Sequence, residues 1–494
     1  MEKLKRTVFF WTLVVAFLVI APLVVLRARG YRFDSSRGVF VHSGSITVKS
    51  NPLSVDVSLD GKTTESKSLS RINNSYTLTG LIPKDYELTV SAQGFQPWSK
   101  KIDVHSGLSS EFWNVILVRD SYEKTSYDSA GTEKFFISPN DKFAALEQIS
   151  GQETEVKILN LRGDSIENSF VLPEWKPVSD TAKENIEWSP EEDHLSVPVE
   201  RTVTSSLALG EEKTERAYFI LDPSTNEYFD LNEFLKIPDI RRVRWDPQEK
   251  GFLFFLSGKL LYRASISSAG ALTLIASDVS SYELSESVLH YSQSPSQLIY
   301  RTSLDGTAEK TQLTNFFPED HPSENDKLIV YDDSKIAFLN SAGELFIYNK
   351  GERDTYFRKL SDSTEGMQFS NDGKKMLFWT KNEISVYFLR DWAVQPARSE
   401  DDVQNITRYS EKLENVHWFK DYEHIIFSVG PEIKIIELDA RDRRNSTDIT
   451  KLSENDPVVI YNNSLEKLFF TDSADGTTKL HSIAFPEKTG ILGF

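Results

Sequence analysis

The sequence predicts an all-β protein carried behind one apolar N-terminal helix. Three observations predict it: an uncharged run from Val8 to Leu26, a stretch of short alternating strands broken by turn residues, and a four-strand pattern that recurs to the C-terminal end. The 494 residues suffice for two to four domains, and 39% hydrophobic content supplies a sizeable core. The 56 Lys and Arg against 74 Asp and Glu leave a net charge of −18. A chain this acidic is unsuited to gripping phosphate backbones, so no nucleic acid partner is expected. With no cysteine at all, disulfides, thiolate metal sites and cysteine nucleophiles are excluded.

The run Val8–Leu26 is dominated by Val, Leu, Ile, Phe and Ala. At ~1.5 Å per residue it spans about the thickness of a bilayer hydrocarbon core. It is long for the apolar region of a signal peptide, and Arg27-Ala28-Arg29-Gly30 follows it where a small-residue cleavage site would stand. A retained transmembrane helix is therefore expected over 8–26, behind a cytoplasmic stub, 1–7; a cleaved signal peptide is the alternative. Basic residues flank both ends, so charge alone does not orient it. Long domains translocate largely regardless of charge, and the expected arrangement is single-pass with everything after the helix extracytoplasmic.

A juxtamembrane linker, 27–43, precedes a segment, 44–119, that reads as a small β-sandwich. Ser45–Ser50 is a strand, Asn51-Pro52 a turn, and Val55–Leu59 alternates with period two before the hairpin signal Asp60-Gly61. Tyr76–Thr79, Tyr86–Ala92 and Lys101–Val104 are further strands, divided by Gly80, Gly94 and Ser106-Gly107. The runs Gly44–Val48, Ser50–Val55, Leu59-Asp60-Gly61-Lys62, Tyr86–Val90 and Gly94-Phe95-Gln96-Pro97-Trp98 together resemble the PEGA domain. The resemblance implies a surface-associated, Ig-like module of envelope proteins and no catalytic activity. Phe95 and Trp98 are expected to fill one end of the sandwich, with a sugar-stacking or partner-binding tip as the alternative.

Residues 120–134 read as a linker or a loosely attached strand, and 135–494 as a repeat. The units open at Phe136, Trp188, Trp245, Leu284, Val330, Phe369, Trp418 and Ile460, spaced by about 46 residues on average. An apolar strand, an alternating strand and a weaker polar strand follow each opening. This period and grammar predict a β-propeller of about eight four-stranded blades, or seven if the irregular unit 282–317 merges with a neighbour. Phe136, Trp188, Trp245, Phe369 and Trp418 are expected to wedge between blades. The opening Phe369-Ser370-Asn371-Asp372-Gly373-Lys374 resembles TolB-type, WD-like propeller repeats, which implies the scaffold and leaves function open. Longer insertions at 200–216 and 390–412 are expected to protrude from a rim, with Arg390-Asp391-Trp392 as a contact or, more simply, an ion pair under an aromatic lid.

The eight histidines (42, 105, 194, 290, 321, 417, 424, 481) show no ligand spacing, and nucleophile elbows and phosphate loops are missing. Ser121–Lys124 and Ser464–Lys467 match Ser-x-x-Lys by chance, and Asp472, Asp475 and Gly476 lack the spacing of a calcium loop. Pairs such as Asp332-Asp333 and Asp401-Asp402 are common in an acidic chain. No catalytic, cofactor-binding or metal-ligating residue is therefore assigned, and no cofactor is expected. The expected function is a membrane-anchored, surface-exposed, non-catalytic binding or scaffold protein whose partner is an envelope protein or glycan. The alternatives are an extracytoplasmic glycan hydrolase or lyase with carboxylates in the propeller channel, and a processed periplasmic adaptor resembling TolB.

Overall fold

A computed structural model describes residues 2–486 except 64–67, 71–73, 180–183, 205–211, 268–270, 320–324, 454–455 and 475. The long helix α1 (Glu2–Ala28) contains the whole apolar run, and Leu4–Ala28 is long and apolar enough to cross a membrane. Its side chains lie clear of the rest of the protein: Phe9, Phe10, Trp11, Phe17 and Leu18 are all exposed. The segment 27–43 contains a hairpin, β1 (Tyr31–Asp34) paired with β2 (Val39–His42).

Next comes a sandwich built from β3 (Gly44–Asn51), β4 (Asp56–Leu59), β5 (Lys62–Thr63), β6 (Ser68–Ser70), β7 (Ser75–Leu81), β8 (Asp85–Ser91), β9 (Trp98–Asp103) and β10 (Ser109–Ile116). One sheet has the order β10-β3-β7-β6 and the other β5-β4-β8-β9, with β10 parallel to β3. Period-two alternation puts Ile46, Val48, Val57, Leu78, Leu88 and Val90 between the sheets, all fully or almost fully buried. Asp60 and Gly61 both adopt positive φ, as the predicted tight turn requires. Part of the middle loop, 63–75, lies outside the described residues.

Eight sheets of four or five strands follow, so the irregular fourth unit is a blade in its own right (strands from Val279–Leu284 to Thr311–Gln312). Six are simple antiparallel meanders; in blade 2 the short strands Lys176–Pro177 and Glu187–Trp188 both pair with Leu195–Thr204. The last sheet is completed by β11 (Thr125–Ser126), which pairs with the strand Thr477–Ala484. The stretch 120–134 thus contributes a strand that closes the ring. Eight clusters of buried hydrophobic residues span the eight junctions between neighbouring blades, including the closing one, where Tyr127, Phe135 and Leu146 meet Phe469 and Leu480. Radial stacking covers sheet faces that one four-stranded sheet leaves wet.

The corners explain the openings. After the first strand of a blade, a Ser or Asp side chain accepts the backbone N–H groups of the turn: Ser189 from Asp193 and His194, Asp246 from Gln248 and Glu249, Asp421 from Glu423 and His424. The preceding tryptophan wedges into the neighbouring blade, as expected, and also donates its indole N–H there. Trp188 donates to the Phe136 carbonyl (2.9 Å), Trp245 to that of Glu187 (3.1 Å) and Trp418 to that of Gln368 (3.2 Å).

Candidate functional site

The first strands of neighbouring blades approach one another around the axis, and those of blades 2 to 5 converge on a cavity of about 350 Å³. Its walls carry Glu184, Glu187, Arg242, Arg244, Glu283 and Lys327 beside Tyr218 and Tyr282. Arg244 holds the centre: Nε donates to Glu187 at 3.0 Å and Nη1 to both oxygens of Glu283 at 3.2 Å. Arg242 donates its backbone N–H to Glu184 (2.9 Å) and a guanidinium N–H to the Ser280 carbonyl (3.0 Å). The positive φ of Arg242 marks the bulge that turns this strand. Burial raises the Glu187 carboxyl above its ordinary value, with Arg244 opposing. Arg244 is held charged, its two carboxylate partners outweighing burial.

Chemically, this is an internally compensated site. Hydrolysis of a glycoside needs two carboxylates available to substrate and water; here two acids share one guanidinium. The cavity therefore offers charges of both signs, hydroxyls and aromatic edges to a polar ligand or chain segment. Sequence reasoning missed these residues, although a signal was present. Glu187, Arg244 and Glu283 each stand one residue before the openings of three consecutive units, so the units superposed on their openings place Glu, Arg and Glu at one register.

A second feature joins the sandwich to the propeller. Lys100 of β9, with no exposed side-chain surface, donates to the carbonyls of Asp439 (2.8 Å), Arg441 (2.9 Å) and Arg443 (2.7 Å) and pairs with Glu437 at 2.8 Å. Trp98 donates its indole N–H to the other Glu437 oxygen (3.0 Å) while packing edge-on against Phe112 inside the sandwich. It is a bolt between modules, which overturns a sugar-stacking tip at this residue; Phe95 packs against the sandwich core under Arg119. From the propeller side, Arg441 lies over the Phe112 ring and donates to the Glu111 carbonyl (2.7 Å). Gln395 donates to the Ser109 carbonyl (2.9 Å) and accepts the Glu111 N–H (3.1 Å). An open groove of about 870 Å³ flanks this junction, lined among others by Lys101, Asp103, His105, Gln395 and Asp442.

The loop holding Gln395, part of the predicted 390–412 insertion, is thus pinned to the sandwich where a free rim loop was expected. Asp391 pairs with Arg353 and Arg390 with Glu352, while Trp392 covers Lys374 and Lys375, which belong to neither pair. The 200–216 insertion lengthens the hairpin of blade 2, whose ladder runs to Thr204 opposite Glu212; 205–211 lie outside the described residues. Strand alternation places that hairpin on the opposite face of the ring from the loops that grip the sandwich.

Other sequence candidates are engaged structurally. Lys124 pairs with Asp472, Ser464 donates to Asp141, Asp332 pairs with Lys335, Asp333 with His290 and Arg301, and Asp401 with Arg358. Asp475 and His321 lie outside the described residues. Among the described residues, no three His, Asp or Glu side chains form a metal-ligating group.

His424 lies beside the junction, buried, with Nδ1 2.8 Å from Asp421. Burial opposes its charge, but the Asp421 carboxylate and the nearby Glu437 and Glu423 hold its pKa above the ordinary value. A raised folded value stabilises fully below the unfolded pKa of about 6.5 and is lost as pH rises through the folded one. Half-buried His417 and buried His481 shift downward and act in the opposite sense, losing stability as pH falls. The comparison is therefore made against His424→Gln. Denaturant melts are expected to show wild type ahead of H424Q by a margin that shrinks as pH rises above about 6.5; a margin independent of pH would contradict the charged pair.

These features define a class: an eight-bladed β-propeller locked to a β-sandwich behind one apolar helix. No protein-family model matches the chain, and no curated protein does. Among solved structures, it is similar to the Dos1 propeller (10% identity, 73% of this chain and 94% of that one, TM-score 0.44). It is also similar to a eukaryotic initiation factor (10%, 73% and 87%, 0.44) and to Kluyveromyces lactis Hsv2 (10%, 65% and 100%, 0.37). The propeller assignment rests on sheet order, ring closure and the inter-blade clusters rather than on these distant likenesses.

Proposed function

We propose that this protein is a non-catalytic binding platform, held at a membrane by α1 with its sandwich and propeller on the extracytoplasmic side, and that its partner is an envelope protein or glycan. The observation that carries the reading is the Arg244 clamp: it ties up Glu187 and Glu283, while the third acid of the cavity wall, Glu184, accepts the Arg242 N–H, so the rival hydrolase or lyase has no free facing pair. Support for anchoring comes from the exposed apolar surface of α1, which water would disfavour strongly. The PEGA-like and TolB-like sequence features fit the same envelope setting. The sandwich then serves as a stalk that sets the height of the ring, and the channel and the face away from the sandwich are where a partner docks.

The chain has no cysteine, so Lys327→Cys at the cavity can carry a photocrosslinker attached from outside intact cells. One discrete adduct is expected, with its yield reduced in E187Q and E283Q backgrounds, where the Arg244 clamp is broken. Release of glycan fragments by the purified full-length protein, abolished by either Gln substitution, would install the enzyme reading instead.

A further inference from the structure

The end of the sandwich next to α1 carries apolar side chains that its own core does not use. Phe33 and Phe40 face each other across the β1–β2 hairpin with ring centroids 5.3 Å apart, yet are 53% and 42% exposed. Val39 is 49% exposed, and Leu108, in the loop that abuts the hairpin base, is 61% exposed. That loop is fixed to the hairpin: Ser106 donates to the His42 carbonyl (3.0 Å), and the Gly107 N–H to that of Ser43 (3.3 Å). The hairpin is in turn fixed to the helix end. Ser43 donates its N–H and hydroxyl to the Gly30 carbonyl (2.8 and 2.6 Å), and Arg32 reaches back to the Arg27 carbonyl (3.3 Å).

Local charge runs against the rest of the molecule. Residues 27–43 hold Arg27, Arg29, Arg32 and Arg37 against Asp34 alone, in a chain whose net charge is −18. Exposed aromatics among arginines, directly continuous with a hydrophobic span, match the chemistry of an anionic lipid interface, where rings sit at headgroup level and cations meet lipid phosphates.

Resting on the anchor reading above, we infer that the β1–β2 hairpin and the Leu108 loop form a second membrane contact, a foot seated among anionic lipid headgroups beside α1. Helix and foot together hold the bilayer at two points. The propeller, locked to the sandwich through Lys100, is then carried at a fixed tilt rather than swinging on one tether.

The test uses the full-length chain, reconstituted in vesicles of phosphatidylcholine and phosphatidylglycerol, with single environment-sensitive fluorophores on introduced cysteines. Probes at Phe40→Cys and Leu108→Cys are expected to shift to the blue and to lose most of their emission to lipids spin-labelled near the headgroup. The shift should weaken in vesicles lacking phosphatidylglycerol. A probe at Leu274→Cys, exposed on the propeller, should stay unquenched, and one at Leu18→Cys should be quenched by deeply labelled lipid. Quenching at Leu18 with water-like emission at both Phe40 and Leu108 would overturn the foot alone. Absence of deep quenching at Leu18 would overturn the anchor, and the foot with it. A blue shift at Phe40 that appears in detergent at high protein concentration, without lipid, would assign the patch to a second copy of the chain and also overturn the foot.

Discussion

Lys100→Met is expected to destabilise the protein by about 3–5 kcal/mol, the usual cost of removing one partner of a buried ion pair. The substitution leaves Glu437 without its cation, although Trp98 and Asn445 still donate to it. It also strips one donor from each of the Asp439, Arg441 and Arg443 carbonyls. Methionine fills much of the lysine volume, so the loss is electrostatic rather than a cavity. Because these groups join the two modules, calorimetry should separate one coupled unfolding event into two, with the sandwich melting first. Adding Glu437→Gln to K100M should recover part of the loss, since the unpaired buried charge goes with it. A single transition shifted by less than ~1 kcal/mol would place Lys100 among ordinary surface pairs and refute the lock.

Trp418→Ala is expected to cost about 3–5 kcal/mol, the range for emptying a buried aromatic site. Trp418 packs between blades 6 and 7 with Leu377, Val386 and Phe427, so the cavity opens in a junction rather than inside a blade. Trp418→Phe keeps most of the packing but leaves the Gln368 carbonyl without the indole donor, and should cost about 1–3 kcal/mol. If blades hold each other as described, urea unfolding of W418A should stay cooperative while its midpoint falls. Equal small losses for both variants would show that the wedge contributes little to the ring.

Blade number and corners were legible because every unit repeats the same physical necessity. A meander must turn after its first strand, and a Ser or Asp that satisfies the turn N–H groups leaves its mark in sequence, as at Ser189, Asp246 and Asp421. Blade 4 reads as irregular because its opening, Leu284-Ser285-Glu286-Ser287, has neither the tryptophan nor the proline of the two units before it, at 188–190 and 245–247. The closing strand, Thr125–Ser126, is two residues long and has no periodicity to read.

The junction was illegible for a different reason. Trp98 and Lys100 meet partners some 340 residues onward, and a lysine in an alternating strand looks like a solvated one until the second module covers it. The loop at Gln395 misled in the same way: its length marked it as an excursion, while its hydrogen bonds to Ser109 and Glu111 make it a clasp. The channel charges were visible one by one. Their convergence appears only when consecutive units are superposed, since Arg244 balances acids from the blades on either side.

The most direct measurement on the whole account is the reaction of Lys327→Cys with a membrane-impermeant maleimide on intact cells, in a chain that offers no other thiol. A membrane-held platform facing outward predicts labelling before permeabilisation, with the labelled protein recovered in the membrane fraction. Labelling that appears only after the cells are opened, or a labelled protein recovered free of membrane, would contradict it.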